Sequence, residues 1–175
     1  TWDKVRREPV FEVEKVYIQN DPIWQVILPG WTEHRILMGL TQEPRILNIV
    51  RNTVPSVKDV VLTRGGVGWL HAVVSISKRH EGEGQNAGMA TLSAHPSLKR
   101  VIVVDDDINV NNSESVEWAL ATRLKPDEGI TFVKGARSSS LDPSSAGTGV
   151  SAKWIVDATI PLNRNRRDFE KVECN

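Results

Sequence analysis

Three consecutive carboxylates, Asp105-Asp106-Asp107, close the apolar run Val101-Ile102-Val103-Val104. Clustered carboxylates bind hard cations, and ligands of α/β sheets gather at the carboxyl ends of strands. The same acids can instead cap backbone groups and face water. No second acidic cluster completes a coordination shell, so a tight metal site is not expected. Arg64-Gly65-Gly66-Val67-Gly68 contains a Gly-x-Gly. A phosphate cradle places such glycines before a helix N-terminus, but the next segment, from Trp69, reads as a strand. The motif therefore predicts a hairpin turn. His34, His71, His80 and His95 lack the paired spacing of a zinc site. His34, among polar neighbours in Gly30-Trp31-Thr32-Glu33-His34-Arg35, is the most site-like of the four, although a structural role explains it more simply. Ser138, Ser139 and Ser140 lack the Gly-x-Ser-x-Gly context of a nucleophile elbow. Cys174, the one cysteine, can form neither an internal disulfide nor a cysteine-rich zinc site. These residues make no complete catalytic constellation.

The elements that must position them follow from alternation and punctuation. Residues 10–18 and 23–28 read as a two-strand ribbon broken at Asn20-Asp21-Pro22. Thr41-Gln42-Glu43-Pro44 predicts the first turn of a helix carrying Ile46, Leu47, Ile49 and Val50. Residues 59–62, 69–77, 101–104, 130–133 and 153–158 read as strands, with helices over 86–95 and from Ser113 towards Pro126. The run 101–104 has the continuous apolar character of a central strand covered on both faces. From Gly135 to Gly149 the chain is mostly Ser, Gly and Ala, and this composition predicts a long loop. The fold class is α/β: a mixed β-sheet of about six strands with helices packed on it, in a single domain.

The chain has 175 residues, enough to bury a substantial core, and 22 basic against 22 acidic residues leave it with no formal net charge. That balance removes any global electrostatic case for binding nucleic acid or an anionic membrane. No window approaches the roughly 18 apolar residues that a membrane helix requires. The single cysteine argues against a secreted disulfide scaffold, and the expected location is cytoplasmic. The opening Thr1-Trp2-Asp3-Lys4 has no Met and no signal-like apolar stretch, so the chain reads as a segment of something longer.

Several stretches occur in an order that resembles a known family: Leu28-Pro29-Gly30, Glu33-His34, Met38-Gly39, Gly66-Val67-Gly68, His95-Pro96-Ser97-Leu98-Lys99, Val103-Val104-Asp105-Asp106-Asp107-Ile108, Glu117-Trp118-Ala119-Leu120-Ala121-Thr122-Arg123, Leu141-Asp142-Pro143-Ser144 and Asp157-Ala158-Thr159. The pattern is similar to the C-terminal part of the UbiD-type decarboxylases and covers nearly the whole chain. The resemblance implies reversible decarboxylation of aromatic or α,β-unsaturated carboxylic acids with prenylated FMN, Mn2+ and K+. It places the catalytic acids and metal ligands ahead of the matched part, so no catalytic residue and no metal ligand is expected in this chain. It implies that Lys99 reaches the cofactor and that Ile36, Met38, Ser139, Ser140 and Leu141 line the substrate pocket. The loop 135–149 becomes a pocket rim in that reading. The implied partners are an N-terminal catalytic domain or subunit and further copies in a homodimer or larger homo-oligomer. Six tryptophans fit subunit contacts, or an ordinary core. A non-catalytic dimerisation module and an independent nucleotide-binding α/β domain are the alternatives.

Overall fold

The computed structural model describes residue 5, residues 7–145 and residues 147–172; the Thr1-Trp2-Asp3-Lys4 opening and Cys174 lie outside them. A helix, α1 (Thr32–Thr53), precedes a hairpin of β1 (Val57–Leu62) and β2 (His71–Ile76). Then follow α2 (Glu83–Ala94), β3 (Arg100–Asp105), α3 (Ser113–Thr122), a short α4 (Pro126–Gly129), β4 (Ile130–Arg137) and β5 (Val150–Ala158). The five strands form one mixed sheet in the order β1-β2-β3-β5-β4. β2, β3 and β5 run parallel, and the outer strands β1 and β4 pair antiparallel with β2 and β5.

The apolar run predicted as a central strand is β3, and its alternation divides the core. Val101 and Val103 face α1 and α2, packing with Ile46, Val50, Val74, Leu92 and Ile155. Ile102 and Val104 face α3, packing with Val73, Val116, Ala119 and Val156. Successive strand residues point to opposite faces, so a strand covered on both sides must be apolar throughout. Small residues let α2 lie close to β5. A Cβ on Gly88 would collide with the Ile155 Cγ2 methyl and lie 3.1 Å from Cγ1.

Three expectations are corrected. Residues 10–18 and 23–28 form no regular element and join no strand ladder, so the sheet has five strands instead of about six. Their alternating apolar side chains, Phe11, Tyr17 and Ile23 among them, stand exposed. Alternation records a face to be buried, yet a strand exists only where another supplies hydrogen bonds. The first helix begins at Thr32, and Pro44 lies inside it. The bond lost there belongs to the carbonyl of the exposed Leu40, where water can substitute, while packing of Ile46 and Val50 holds the helix. Finally, β4 continues to Arg137, so the loop shortens to 138–149. The register shifts between Val133 and Ala136, and Gly135, at φ 68°, takes the left-handed conformation there. Among the described residues no helix is long and apolar enough to cross a membrane.

Candidate functional site

The buried stripe of α1 (Gly39, Ile46 and Val50) is flanked by two cavities. One, of about 890 Å3, lies between α1, the turn at Trp69, the segment His95–Ser97 and the loop 138–149. Met38, Gln42 and Arg45 line it from the helix; Arg137, Ser138, Ser139, Ser140 and Leu141 line it from the far wall. The other, of about 920 Å3, has an apolar floor that includes Val61, Val73 and Ile102 and a basic rim of Arg35, Arg64 and Arg100. Four of the five residues expected to line a pocket, Met38, Ser139, Ser140 and Leu141, therefore share the first cavity. Ile36 lies in the second, because residues 36 and 38 sit about 200° apart around a helix.

Lys99 acts at the far wall. Its ammonium lies 3.0 Å from Asp142 Oδ2 and donates a 2.7 Å hydrogen bond to Ser144 Oγ. Asp142 also accepts from the Ser144 backbone N–H at 3.0 Å and the Ser144 hydroxyl at 2.7 Å. Burial works against the Asp142 carboxylate, but these donors and Lys99 hold its pKa below the ordinary value. The Ser145 hydroxyl donates to the Asp142 carbonyl, and Ser138 N–H pairs with the Gly149 carbonyl. A loop with one sizeable apolar anchor is thus organised around a buried carboxylate. Composition alone points to an unanchored loop, because the anchor, Lys99, is 43 residues away in sequence.

His95 forms the floor. It is 3% exposed, meets Trp69 edge-on at 4.4 Å and bonds to the Trp69 backbone. Burial lowers its pKa and Arg45 adds to the effect, so the ring is held neutral; its Nε2 has no hydrogen-bond partner. No carboxylate among the described residues lies within ion-pair distance of Arg45 or Arg137. The sequence singles out neither arginine, and it offers His95 only as one of four histidines and within the motif order, because these residues come from separate elements with no shared motif.

The other sequence candidates are accounted for by the fold. Arg123 donates at 2.8 Å to both Asp105 and Asp107, and Arg166 reaches Asp106 at 3.2 Å. The aspartate triplet is thus committed to guanidinium groups. The glycine-bearing turn joins β1 to β2, with Thr63 Oγ1 accepting from Gly66 N–H at 3.0 Å. A Cβ on Gly68 would strike the Arg35 carbonyl, so that glycine lets α1 approach the turn. His34 Nδ1 accepts from Gly30 N–H at 2.8 Å, a local cap. His71, in the second cavity, is pushed down to about 4 by burial and then by Arg100 and Lys99. Among the described residues no group of three or more His, Cys, Asp or Glu is placed to hold a metal ion.

Residues 35–158 match the family model of the 3-octaprenyl-4-hydroxybenzoate carboxy-lyase C-terminal domain. The anhydromevalonate phosphate decarboxylase of Methanocaldococcus jannaschii is 53% identical over 99% of this chain. The chain spans 41% of that relative's length. Among solved structures, the UbiD-class enzyme HmfF from Pelotomaculum thermopropionicum, in complex with FMN, superposes with a TM-score of 0.83 at 44% identity, over 87% of this chain and 34% of its own. An evolved dimeric form of HmfF in complex with prFMN gives a TM-score of 0.74 at 38% identity, over 89% of this chain and 32% of its own. The motif order, the mixed sheet and the family match over most of the chain agree, and the chain belongs to the UbiD-type carboxy-lyase family, in the part that forms its C-terminal domain.

Proposed function

We propose that this chain is the C-terminal domain of a prenylated-FMN-dependent decarboxylase whose substrate is a small α,β-unsaturated acid bearing a phosphate. The observation that carries the reading is the cavity between α1 and the loop 138–149. Its wall is polar and small where Ser139 and Ser140 stand, and it carries two arginines without a carboxylate partner. That suits a compact anionic acid better than a bulky aromatic one, in keeping with the phosphorylated substrate in the name of the M. jannaschii relative.

Prenylated FMN, when bound, supplies the acceptor for the electron pair released as the bond to CO2 breaks. Lys99 fits a role beside it. The side chain is held by Asp142 and Ser144, yet stays 34% exposed, so a further acceptor can reach its ammonium. Met38 and Leu141 would close apolar surface over the reacting carbons and exclude water, while Ser139 and Ser140 leave room for polar groups. Ile36 would act from the other flank of α1. Mn2+ does not fit the described residues, among which no three His, Cys, Asp or Glu are placed together, and the reading assigns the ligands of Mn2+ and K+ and the catalytic acids to the remainder of the polypeptide. The exposed apolar side chains of residues 10–28 suit a surface against that remainder, and the exposed Phe132, stacked on Trp154 at 6.1 Å, suits a contact between copies in a homo-oligomer.

The test is CO2 release from a panel of unsaturated acids by this chain alone and by the full-length polypeptide, each with prenylated FMN, Mn2+ and K+. Turnover is expected from the full-length protein only, with the phosphorylated acid preferred. Turnover by the chain alone, or none of any acid by the full-length protein, overturns the reading.

A further inference from the structure

We propose that Arg45 and Arg137 form a two-sided clamp for the phosphate of the substrate, and so determine its specificity. This rests on the reading of a phosphorylated unsaturated acid.

The two guanidinium groups come from opposite walls of one cavity, Arg45 from the middle of α1 and Arg137 from the last position of β4. Other cations of the domain are committed: Lys99 to Asp142, Lys78 to Glu81, and Arg123 and Arg166 to the aspartate triplet. Among the described residues Arg45 has one side-chain bond, to Gln42 Oε1 at 3.3 Å on the same helix, which leaves most of its donors available. Arginine presents a planar fork of donors that matches phosphate oxygens. The same cavity is lined by the hydroxyl-bearing residues Ser97, Ser138 and Ser140, donors for the remaining oxygens. Arg45 and the buried His95 line the same cavity, and the Arg45 charge adds to the effect of burial in lowering the His95 pKa.

The second cavity is a poorer candidate, although it too is basic. Its floor is made of valine, isoleucine and leucine side chains, and Arg100 is offset by Glu117 and stacked over Trp154 at 5.8 Å. The carboxylates of Glu43 and Glu117 also line this cavity and would repel a doubly charged phosphate.

A phosphate remote from the reacting carbons is bound about equally in ground and transition states, so the clamp acts on KM. In the full-length holoenzyme, Arg45→Gln and Arg137→Gln are each expected to raise KM for the phosphorylated acid by roughly 10- to 100-fold, the range for one lost charge-assisted contact. Turnover at saturation and activity on an unphosphorylated unsaturated acid should stay within about twofold. Arg45→Lys should recover part of the loss, and Arg64→Gln, at the rim of the second cavity, should have no effect. Independently of catalysis, inorganic phosphate titrated into this chain should shift the His95 ring resonances and raise its titration midpoint, and Arg45→Gln should abolish both changes. The clamp is wrong if the arginine variants lower turnover of both acids alike, if the KM effect follows Arg64 instead, or if phosphate leaves His95 untouched. A wild-type enzyme that turns over only unphosphorylated acids overturns the functional reading as well, whereas unaffected variants in an enzyme that prefers the phosphorylated acid overturn the clamp alone.

Discussion

Replacing Arg123 by methionine removes the guanidinium that pairs with a buried carboxylate, Asp105. The Arg123 side chain is 1% exposed and that of Asp105 3%, and they meet at 2.8 Å. Asp105 Oδ2 then keeps only the Ile160 N–H, at 2.9 Å. Asp107, whose side chain is 47% exposed, can rehydrate, so its 2.6 Å bond to Arg123 contributes little to the loss. Stranding one partner of a buried pair costs about 3–5 kcal/mol. Arg123 also lies 5.1 Å from the Trp118 ring, a contact of about 0.5–1 kcal/mol that methionine partly keeps. A net loss of about 4 kcal/mol corresponds to a fall in Tm of roughly 8–16 °C in a domain of this size. Burial already raises the Asp105 pKa, against the pull of Ile160 N–H and Arg123. Without Arg123 it rises further above its unfolded value, so the folded variant binds the proton more tightly than the unfolded chain. Its stability relative to wild type is then greatest below the unfolded pKa and falls as pH rises through the folded one. Urea unfolding at about pH 7 and about pH 4.5 should show a smaller difference from wild type at the lower pH. Asp105→Asn placed on Arg123→Met should restore about 2 kcal/mol or more, because a neutral amide keeps an acceptor for Ile160 without a buried charge. A loss below about 1 kcal/mol, or no recovery in the double variant, would refute the account.

Two further outcomes are expected. Asp142→Asn should loosen the loop 138–149, with hydrogen exchange at Ser144 and Ser145 rising at least about tenfold while β3 stays unchanged. Because the Asp142 pKa is depressed, its carboxylate stabilises the loop above its ordinary value of 3.8, and wild-type protection should fade as pH drops through the folded pKa. Gly88→Ala should cost about 1–3 kcal/mol by forcing α2 off Ile155, and combining it with Ile155→Ala should give less than the sum of the single losses. Additive losses in a double-mutant cycle would show that the two do not compete for the same space.

Local pattern determined the strands that need no distant information. The unbroken run of Val101–Val104 can be satisfied only between two apolar layers. The hairpin reading of Arg64–Gly68 followed from the strand behind it, and the motif order carried the family. Tertiary structure alone decided the rest, because the deciding partners are remote. Residues 10–28 alternate as a strand does, yet nothing in their own sequence supplies a neighbour to pair with. Pro44 marked a helix start by propensity, whereas packing of Ile46 and Val50 under the sheet made it an interior residue. The loop looked unanchored until Lys99 was placed beside Asp142. Ile36 and Met38 are two positions apart in the chain, but helical rotation sends them into different cavities. Arg45 and Arg137 share a cavity only because α1 and the end of β4 converge on it, a juxtaposition of charges that no local spacing encodes.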